Sequence, residues 1–251
     1  MHKNEFKKYA TKHLGMSGTL VDDAVKYQIK NIGLSPHILE ERQLNVTQLS
    51  VFDRMMMDRI LWASGEVDDV MSDIIQAQFL YLDNSEPGKD ITLQIATPGG
   101  SVIAGLGIID VMNWIKSDVA TVNLSMCASM GSVLLSSGAK GKRSSLINAT
   151  VMLHHVAAGN SGKVDDTRIS QMETEKYNFL LFKILAKNSG KSFEEIHDFC
   201  QRDMWLNSDE ALNYGLIDNI IGLDDNKSNS ITTMMDGFDE YYMKYVFKQV
   251  K

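Results

Sequence analysis

The sequence predicts an α/β fold with a buried, largely parallel sheet, and three observations support this prediction. Strand-like apolar segments alternate with segments of helical periodicity along most of the chain. The runs VATVNLSMC and TVMLHHV are apolar almost throughout, which is typical of strands covered on both faces. With 251 residues, 44% of them hydrophobic, the chain can also bury a core without disulfide or metal crosslinks.

The first half of the chain begins with a polar segment of mixed charge. Residues 1–37 end just after Pro36, so we expect them to form an extension or arm. In the next segment Leu49, Phe52, Met56 and Ile60 share helical spacing. The predicted elements are a helix at 47–63, a helix at 69–83, a strand at 89–96, a glycine turn at 97–101 and a helix at 105–117.

The second half continues the alternation. The predicted elements are a strand at 119–127, a helix at 128–138, a loop at 140–149, a strand at 150–156, a helix at 164–187, a helix after Ser192 and a helix–glycine–strand segment at 210–221. Ser192 and Glu195 have the spacing of a capping box. The residues at 38–224 would thus form one domain, followed by a polar and then aromatic tail at 225–251.

Charge and composition argue against several classes of function. The net charge of −7 argues against a nucleic-acid partner and against an anionic membrane surface. The uncharged run from Val119 to Ala139 is long enough to cross a bilayer, but its serines, threonine, asparagine and glycines favour a buried strand and helix. The six histidines and two cysteines form no metal-ligand or CxxC pattern, so we expect no metal site. The N-terminus lacks the apolar core of a signal peptide, so we expect a cytoplasmic protein.

Ser129, in CASMGS, lies where a predicted strand meets a predicted helix. The free N–H groups and the positive dipole end of that helix could stabilise an oxyanion formed beside a serine nucleophile. The alternative is structural, because a serine at this position is commonly an N-cap. The turn TPGGS, at another strand end, could supply a second oxyanion donor or could be a plain turn.

A base and a carboxylate complete the candidate set. His154 ends a predicted strand, whereas His155 would point to the opposite face. Asp203, beside Arg202, could orient the base or could equally form a surface ion pair. Each feature alone is weak, but together they supply the parts of a serine hydrolase site.

These motifs resemble the ClpP family of ATP-dependent protease proteolytic subunits. The resemblance lies in TPGGSVIAGLGIIDVMNWIKSDVATVNLSMCASMGSVLLSSGAKGKR, in VMLHHV, in CQRDMWLNSDEALNYGLID and in RILWASGEVDDVMSDIIQAQFLYLD, and it runs from about Ile38 to Gly222. It implies a serine endopeptidase in which Ser129 is the nucleophile, His154 the base and Asp203 the orienting carboxylate. Gly100 and Met130 would provide the oxyanion-hole amides, and Arg202 would contribute to contacts between rings.

The resemblance also implies an architecture. The fold would be crotonase-like, with the helix at 164–187 as a protruding handle that interlocks two stacked heptameric rings. The rings would enclose a chamber that contains the active sites, and a AAA+ unfoldase of the Clp type would deliver unfolded polypeptides to it. The chain itself would need no cofactor, because ATP would be used by the partner, and no P-loop motif is present in the sequence.

The chain departs from the family pattern at a few positions. Family members commonly carry Gln-Pro and a glycine pair where this chain has HVAA at 155–158. Phe199 stands where an aspartate is usual, and Thr92 and Gln94 stand where aromatic residues often line the ATPase docking pocket. These departures leave open a weakly active or inactive paralogous subunit that assembles with an active sibling in mixed rings. A crotonase-type acyl-CoA enzyme is a second alternative, because it would share the fold and a glycine-made oxyanion hole.

Overall fold

The structure is a computed structural model that describes residues 37–42, 45–159 and 162–222. The chain divides into two compact units, Met1–Asp58 and Arg59–Lys251. In the first unit, strand β1 (His37–Arg42) pairs antiparallel with β2 (Asn45–Ser50), and helix α1 (Val51–Met57) follows. The predicted arm, except for His37, and the predicted tail at 225–251 lie outside the described residues.

The second unit alternates strands and helices. Its strands are β3 (Ile60–Ser64), β4 (Ile91–Thr97), β5 (Val119–Ala128), β6 (Arg143–Leu146), β7 (Thr150–Leu153), β8 (Met204–Leu206) and β9 (Asn219–Ile221). Its helices are α2 (Asp69–Ser85), α3 (Val102–Trp114), α4 (Met130–Ser136), α5 (Val164–Ser189), α6 (Phe193–Phe199) and α7 (Ser208–Asn213).

The main sheet has the order β3-β4-β5-β6-β9, and all of these neighbours are parallel. The long strand β5 has two partners on one edge, since its first half pairs with β6 and its last residues pair with β7. Strand β8 then adds to β7 in the antiparallel direction. The prediction of an α/β fold with a largely parallel sheet is confirmed.

The core lies between the sheet and its helices. In β4, Ile91, Leu93 and Ile95 are fully buried, as expected for a strand with helices packed against it. The uncharged run after Asp118 forms β5 and then the buried helix α4, as predicted. Within the described ranges, no helix is both long and apolar enough to cross a bilayer.

Two sequence predictions are wrong, and one needs shortening. The predicted helix at 47–63 is instead β2, α1 and β3, because a capping box between Ser50 and Asp53 starts the helix late and Arg59 then adopts a positive φ of 62°. The predicted loop at 140–149 contains β6, which pairs with β5 and β9. The predicted strand at 150–156 ends at Leu153, so His154 follows the strand rather than lying in it.

Candidate active site

Ser129 lies between the last residue of β5 and the first residue of α4. Its φ of 54° and ψ of −121° are unusual for a residue with a side chain, and its N–H donates to the Met152 carbonyl at 2.9 Å. Although it occupies the N-cap position, its hydroxyl accepts no hydrogen bond from the helix. The side chain is therefore available for another contact, unlike that of an ordinary capping serine.

That contact is with His154. The Nε2 atom of His154 lies 2.8 Å from the Oγ of Ser129, which is hydrogen-bond distance. The parallel pairing of β5 with β7 explains this, because Ala128 is aligned with Met152 and both chains leave the sheet at the same end. Ser129 and His154 are thus brought together by strand register.

Asp203 completes the group from the other side of β7. Leu153 pairs with Met204 in the antiparallel ladder, which places Asp203 beside His154. The Nδ1 atom of His154 lies 3.6 Å from Oδ1 of Asp203, farther than a hydrogen bond, and the Asp203 side chain is 67% exposed. His154 therefore lies between the other two predicted residues, and its distance to Ser129 is shorter than its distance to Asp203.

The glycine turn after β4 packs closely against Ser129, and there is no room for a side chain at the glycine positions. A Cβ atom on Gly99 would lie 2.6 Å from Cβ of Ser129, and one on Gly100 would lie 2.3 Å from the Val67 carbonyl oxygen. Both glycines have positive φ angles, 96° and 151°. Val67 holds the turn, because its N–H donates to Gly99 and its carbonyl accepts from Ser101.

The backbone N–H groups of Gly100 and Met130 could donate hydrogen bonds to an oxyanion. Met130 is the first residue of α4, so its N–H has no carbonyl partner within the helix. Gly100 and Met130 line the same pocket as Ser129 and His154. Two preorganised amides beside a nucleophile are the arrangement that stabilises a tetrahedral intermediate.

The pocket beside Ser129 has a volume of about 190 Å³ and mostly apolar walls. One wall is the segment that follows β7, with Val156 and Ala157, and the other is the α5 face formed by Leu181, Phe182 and Leu185. Such a pocket suits an apolar side chain.

His155, the neighbour of His154, makes its ring contacts with helices α5 and α6. Its ring packs edge-on against Phe182 at 4.9 Å and against His197 at 5.4 Å. Among the described side chains, its Nε2 is one of two buried polar atoms without a hydrogen-bond partner. His154 and His155 thus make different contacts, although both follow β7 rather than lying in it.

Arg202 and Phe199, two other positions noted in the sequence, do not line the pocket beside Ser129. Arg202 is exposed, and in the described part of the chain no ion pair or hydrogen bond involves it. Phe199 stacks on Tyr214 with ring centroids 4.1 Å apart. Cys127, two residues before Ser129, is fully buried, and burial raises the pKa of its thiol.

The described residues include no group of three or more His, Cys, Asp and Glu side chains that could hold a metal ion. The sequence prediction missed Asn178, a buried polar residue of α5 that contacts the segment after His154. Its spacing from Leu181, Phe182 and Leu185 would have indicated it, since it lies on the same helix face as these apolar residues.

Comparisons with known proteins identify the family. The sequence model of the Clp protease family matches residues 43–224. A protein of Bacteroides fragilis is 50% identical over 218 residues, which cover 87% of this chain and 98% of that protein. Proteins of Porphyromonas gingivalis (47% over 218 residues, 87% and 97%) and Streptococcus agalactiae (45% over 188 residues, 74% and 96%) are also similar. All three carry the name ATP-dependent Clp protease proteolytic subunit.

Proposed function

The chain belongs to the Clp protease family and is a serine peptidase subunit, and from this premise we propose that it cleaves peptide bonds with Ser129, His154 and Asp203. The observation that carries the proposal is the 2.8 Å contact between Ser129 Oγ and His154 Nε2. A second feature supports it: Ser129 is held in a sparsely populated backbone conformation, and such residues cluster at active sites.

In the acylation step, His154 takes the proton of the Ser129 hydroxyl as that oxygen attacks the substrate carbonyl. The amides of Gly100 and Met130 bind the oxyanion, and the protonated His154 then donates its proton to the leaving amine. In the deacylation step His154 activates a water that releases the acyl group from Ser129.

Asp203 stabilises the charged imidazole in both steps. Its carboxylate needs to approach His154 Nδ1 by less than an ångström from the observed 3.6 Å to form a hydrogen bond. Catalytic hydrogen bonds commonly tighten when substrate binds, so the observed distance suits an enzyme without substrate.

The apolar pocket would hold the side chain of the residue whose carbonyl is attacked. Its volume of about 190 Å³ and its aliphatic and aromatic walls favour leucine, methionine or a similar residue over a charged one. We therefore propose preferential cleavage after medium-sized apolar residues.

We further propose that the chain works in an assembly of two stacked heptameric rings, formed by the domain at 38–224. Helix α5 supports this because Ile169, Met172 and Phe179 are exposed apolar residues, each more than half exposed, on an element expected to interlock the rings. The names of the relatives include ATP dependence, and the chain has no P-loop motif. A AAA+ unfoldase partner would therefore hydrolyse ATP and deliver unfolded polypeptides to the chamber. We place this assembly in the cytoplasm.

The decisive test is intact-mass analysis after incubation with a fluorophosphonate. We expect one adduct per subunit in the wild type and none in Ser129→Ala, since only an activated serine reacts. Ser125→Ala is a matched control, because Ser125 is an exposed residue of the same strand. A folded, assembled wild-type protein that takes up no adduct would contradict the proposed nucleophile.

A further inference from the structure

Asn178 is a polar residue in the buried face of helix α5. Its side chain is only 6% exposed, and its Oδ1 accepts a hydrogen bond of 2.7 Å from the backbone N–H of Val156. Buried polar groups are costly unless they are paired, so this bond constrains both partners.

Val156 belongs to a segment that has left the sheet. Strand β7 ends at Leu153, so the N–H of Val156 makes no ladder hydrogen bond. The bond to Asn178 replaces the missing strand partner. It therefore fixes the chain two residues after His154.

This bond joins the two walls of the pocket beside Ser129. One wall includes Val156 itself, and the other includes Leu181 and Phe182, about one helical turn beyond Asn178. The rings of His155 and Phe182 make a second contact between the same two segments. The distance between the walls thus depends on a hydrogen bond that lies outside the triad.

We propose that Asn178 is a positioning residue that sets the width of this pocket and, through it, the preference for the residue whose carbonyl is attacked. The inference rests on the proposed function, because it assumes that the pocket receives a substrate side chain. Asn178 touches neither the substrate nor the reacting atoms. It acts through the backbone of Val156.

The test compares two fluorogenic tripeptide amides that end in leucine or alanine and are otherwise identical. Asn178→Leu keeps the size of the side chain but cannot accept the hydrogen bond. We expect the leucine-to-alanine ratio of kcat/KM to fall by about tenfold, since one or a few methylenes in an apolar pocket discriminate by such factors. The rate of labelling by a small fluorophosphonate should stay unchanged, because that reagent does not need the pocket.

Three further variants separate positioning from a general structural role. Asn178→Asp keeps an acceptor oxygen at the same place and should retain the wild-type ratio. Val156→Pro removes the donor N–H and should lower the ratio on its own, and the double variant Asn178→Leu with Val156→Pro should lower it no further. Glu175→Leu, an exposed site one turn earlier on α5, is the control for a new leucine on the helix and should behave as wild type.

Each outcome decides the inference. An unchanged ratio in Asn178→Leu, or a ratio that falls only together with the labelling rate, would overturn it. If Asn178→Leu does not fold, Val156→Pro carries the same test with Asn178 intact. A wild type that takes up no fluorophosphonate would instead contradict the proposed function, so the two failures are distinguishable.

Discussion

Ser129 combines a strained backbone with a hydroxyl that contacts His154 instead of capping its helix, and the adjacent turn consists of glycines. The positive φ of Ser129 is tolerated because the residue is fixed on both sides, by β5 and by α4. The glycine turn completes this environment, since no side chain larger than hydrogen fits at Gly99. The position of the nucleophile is therefore set by backbone contacts on each side.

Gly99→Ala should inactivate the enzyme without unfolding it. The new Cβ would meet Ser129 at 2.6 Å, and a displacement of about 1 Å at a reacting group costs roughly 100-fold in rate. Gly88→Ala is the matched control, because Gly88 also has a positive φ but no atom lies within 4 Å of its added Cβ. Measured kcat/KM should fall only in Gly99→Ala, and equal activity of the two variants would contradict the role given to the turn.

Asp203→Asn should reduce kcat by about 100-fold, at the lower end of the range for general acid–base groups. The loss should be smaller than that of Ser129→Ala, because Asp203 is 67% exposed and lies 3.6 Å from His154. Steady-state kinetics on a short peptide would measure it, with the exposed Asp198→Asn as control. Full activity in Asp203→Asn would remove this residue from the mechanism.

The sequence pointed to Ser129, His154 and Asp203 because each lies at the end of an element, and the pairing of the strands brings these ends together. It could not predict the backbone strain at Ser129, which depends on the register between β5 and β7. The spacing of α5 places Asn178 on the apolar helix face, but it does not show the partner of that side chain, which is a backbone group of a different element. A hydrogen bond to a backbone group cannot be predicted from the identity of the residue that supplies that group.

Among the elements, β6 shows how a charged residue can begin a buried strand. The Arg143 side chain is 1% exposed and forms two hydrogen bonds with Asp218, from Nε at 2.8 Å and from Nη2 at 2.7 Å. Its Nη1 also donates to the carbonyls of Ser136 and Asn188, near the ends of α4 and α5. One arginine thus joins the loop before β9 to two helix ends.

Asp218→Asn should destabilise the fold by about 3–5 kcal/mol, because it leaves a buried guanidinium without its charge partner. Urea unfolding at pH 7 would measure this, with the exposed Asp73→Asn as control. A loss no larger than that of the control would show that Arg143 is satisfied by the two carbonyls alone.

The same pair predicts a pH dependence. Burial by itself raises the pKa of Asp218, but the hydrogen bonds and charge of Arg143 and the Gly141 amide outweigh it and hold the pKa well below its usual range. A carboxyl with a lowered pKa in the folded state contributes stability above its unfolded pKa, about 4, and loses that contribution as the pH falls towards the folded value. The difference in unfolding free energy between wild type and Asp218→Asn should therefore shrink below pH about 4. A constant difference would contradict it.

The two wrong secondary-structure predictions have a common cause. The helical spacing at 47–63 correctly indicated helix α1, but it also continued through β3. That segment is a strand because it pairs in parallel with β4. The segment at 140–149 looked like a loop because its strand is short, polar and begins with Arg143. In both cases non-local pairing outweighed local pattern.

For the molecule as a whole, the exposed apolar residues of α5 predict association. Ile169 and Met172 are each 61% exposed and lie three residues apart, so they share one face of the helix. If this face joins two rings, the double variant Ile169→Glu with Met172→Glu should halve the particle mass measured by sedimentation velocity. Gln171→Glu, an exposed position between them, should leave the mass unchanged. A wild type that stays monomeric at micromolar concentration would contradict the assembly.

The pairing of β5 with β7, and of β7 with β8, has a consequence for the order in which the site can form during synthesis. Ser129 and His154 are 25 residues apart, and Asp203 follows only after both α5 and α6 have been made. Closing such non-local contacts is slow and requires the later strands, so the nucleophile is among the last features to mature. A nascent chain in which β8 has not yet emerged from the ribosome would therefore lack Asp203 beside His154, and we expect its peptidase activity to be well below that of the complete chain. If the proposed residues are the catalytic ones, a subunit still on the ribosome would expose neighbouring nascent proteins to little peptidase activity.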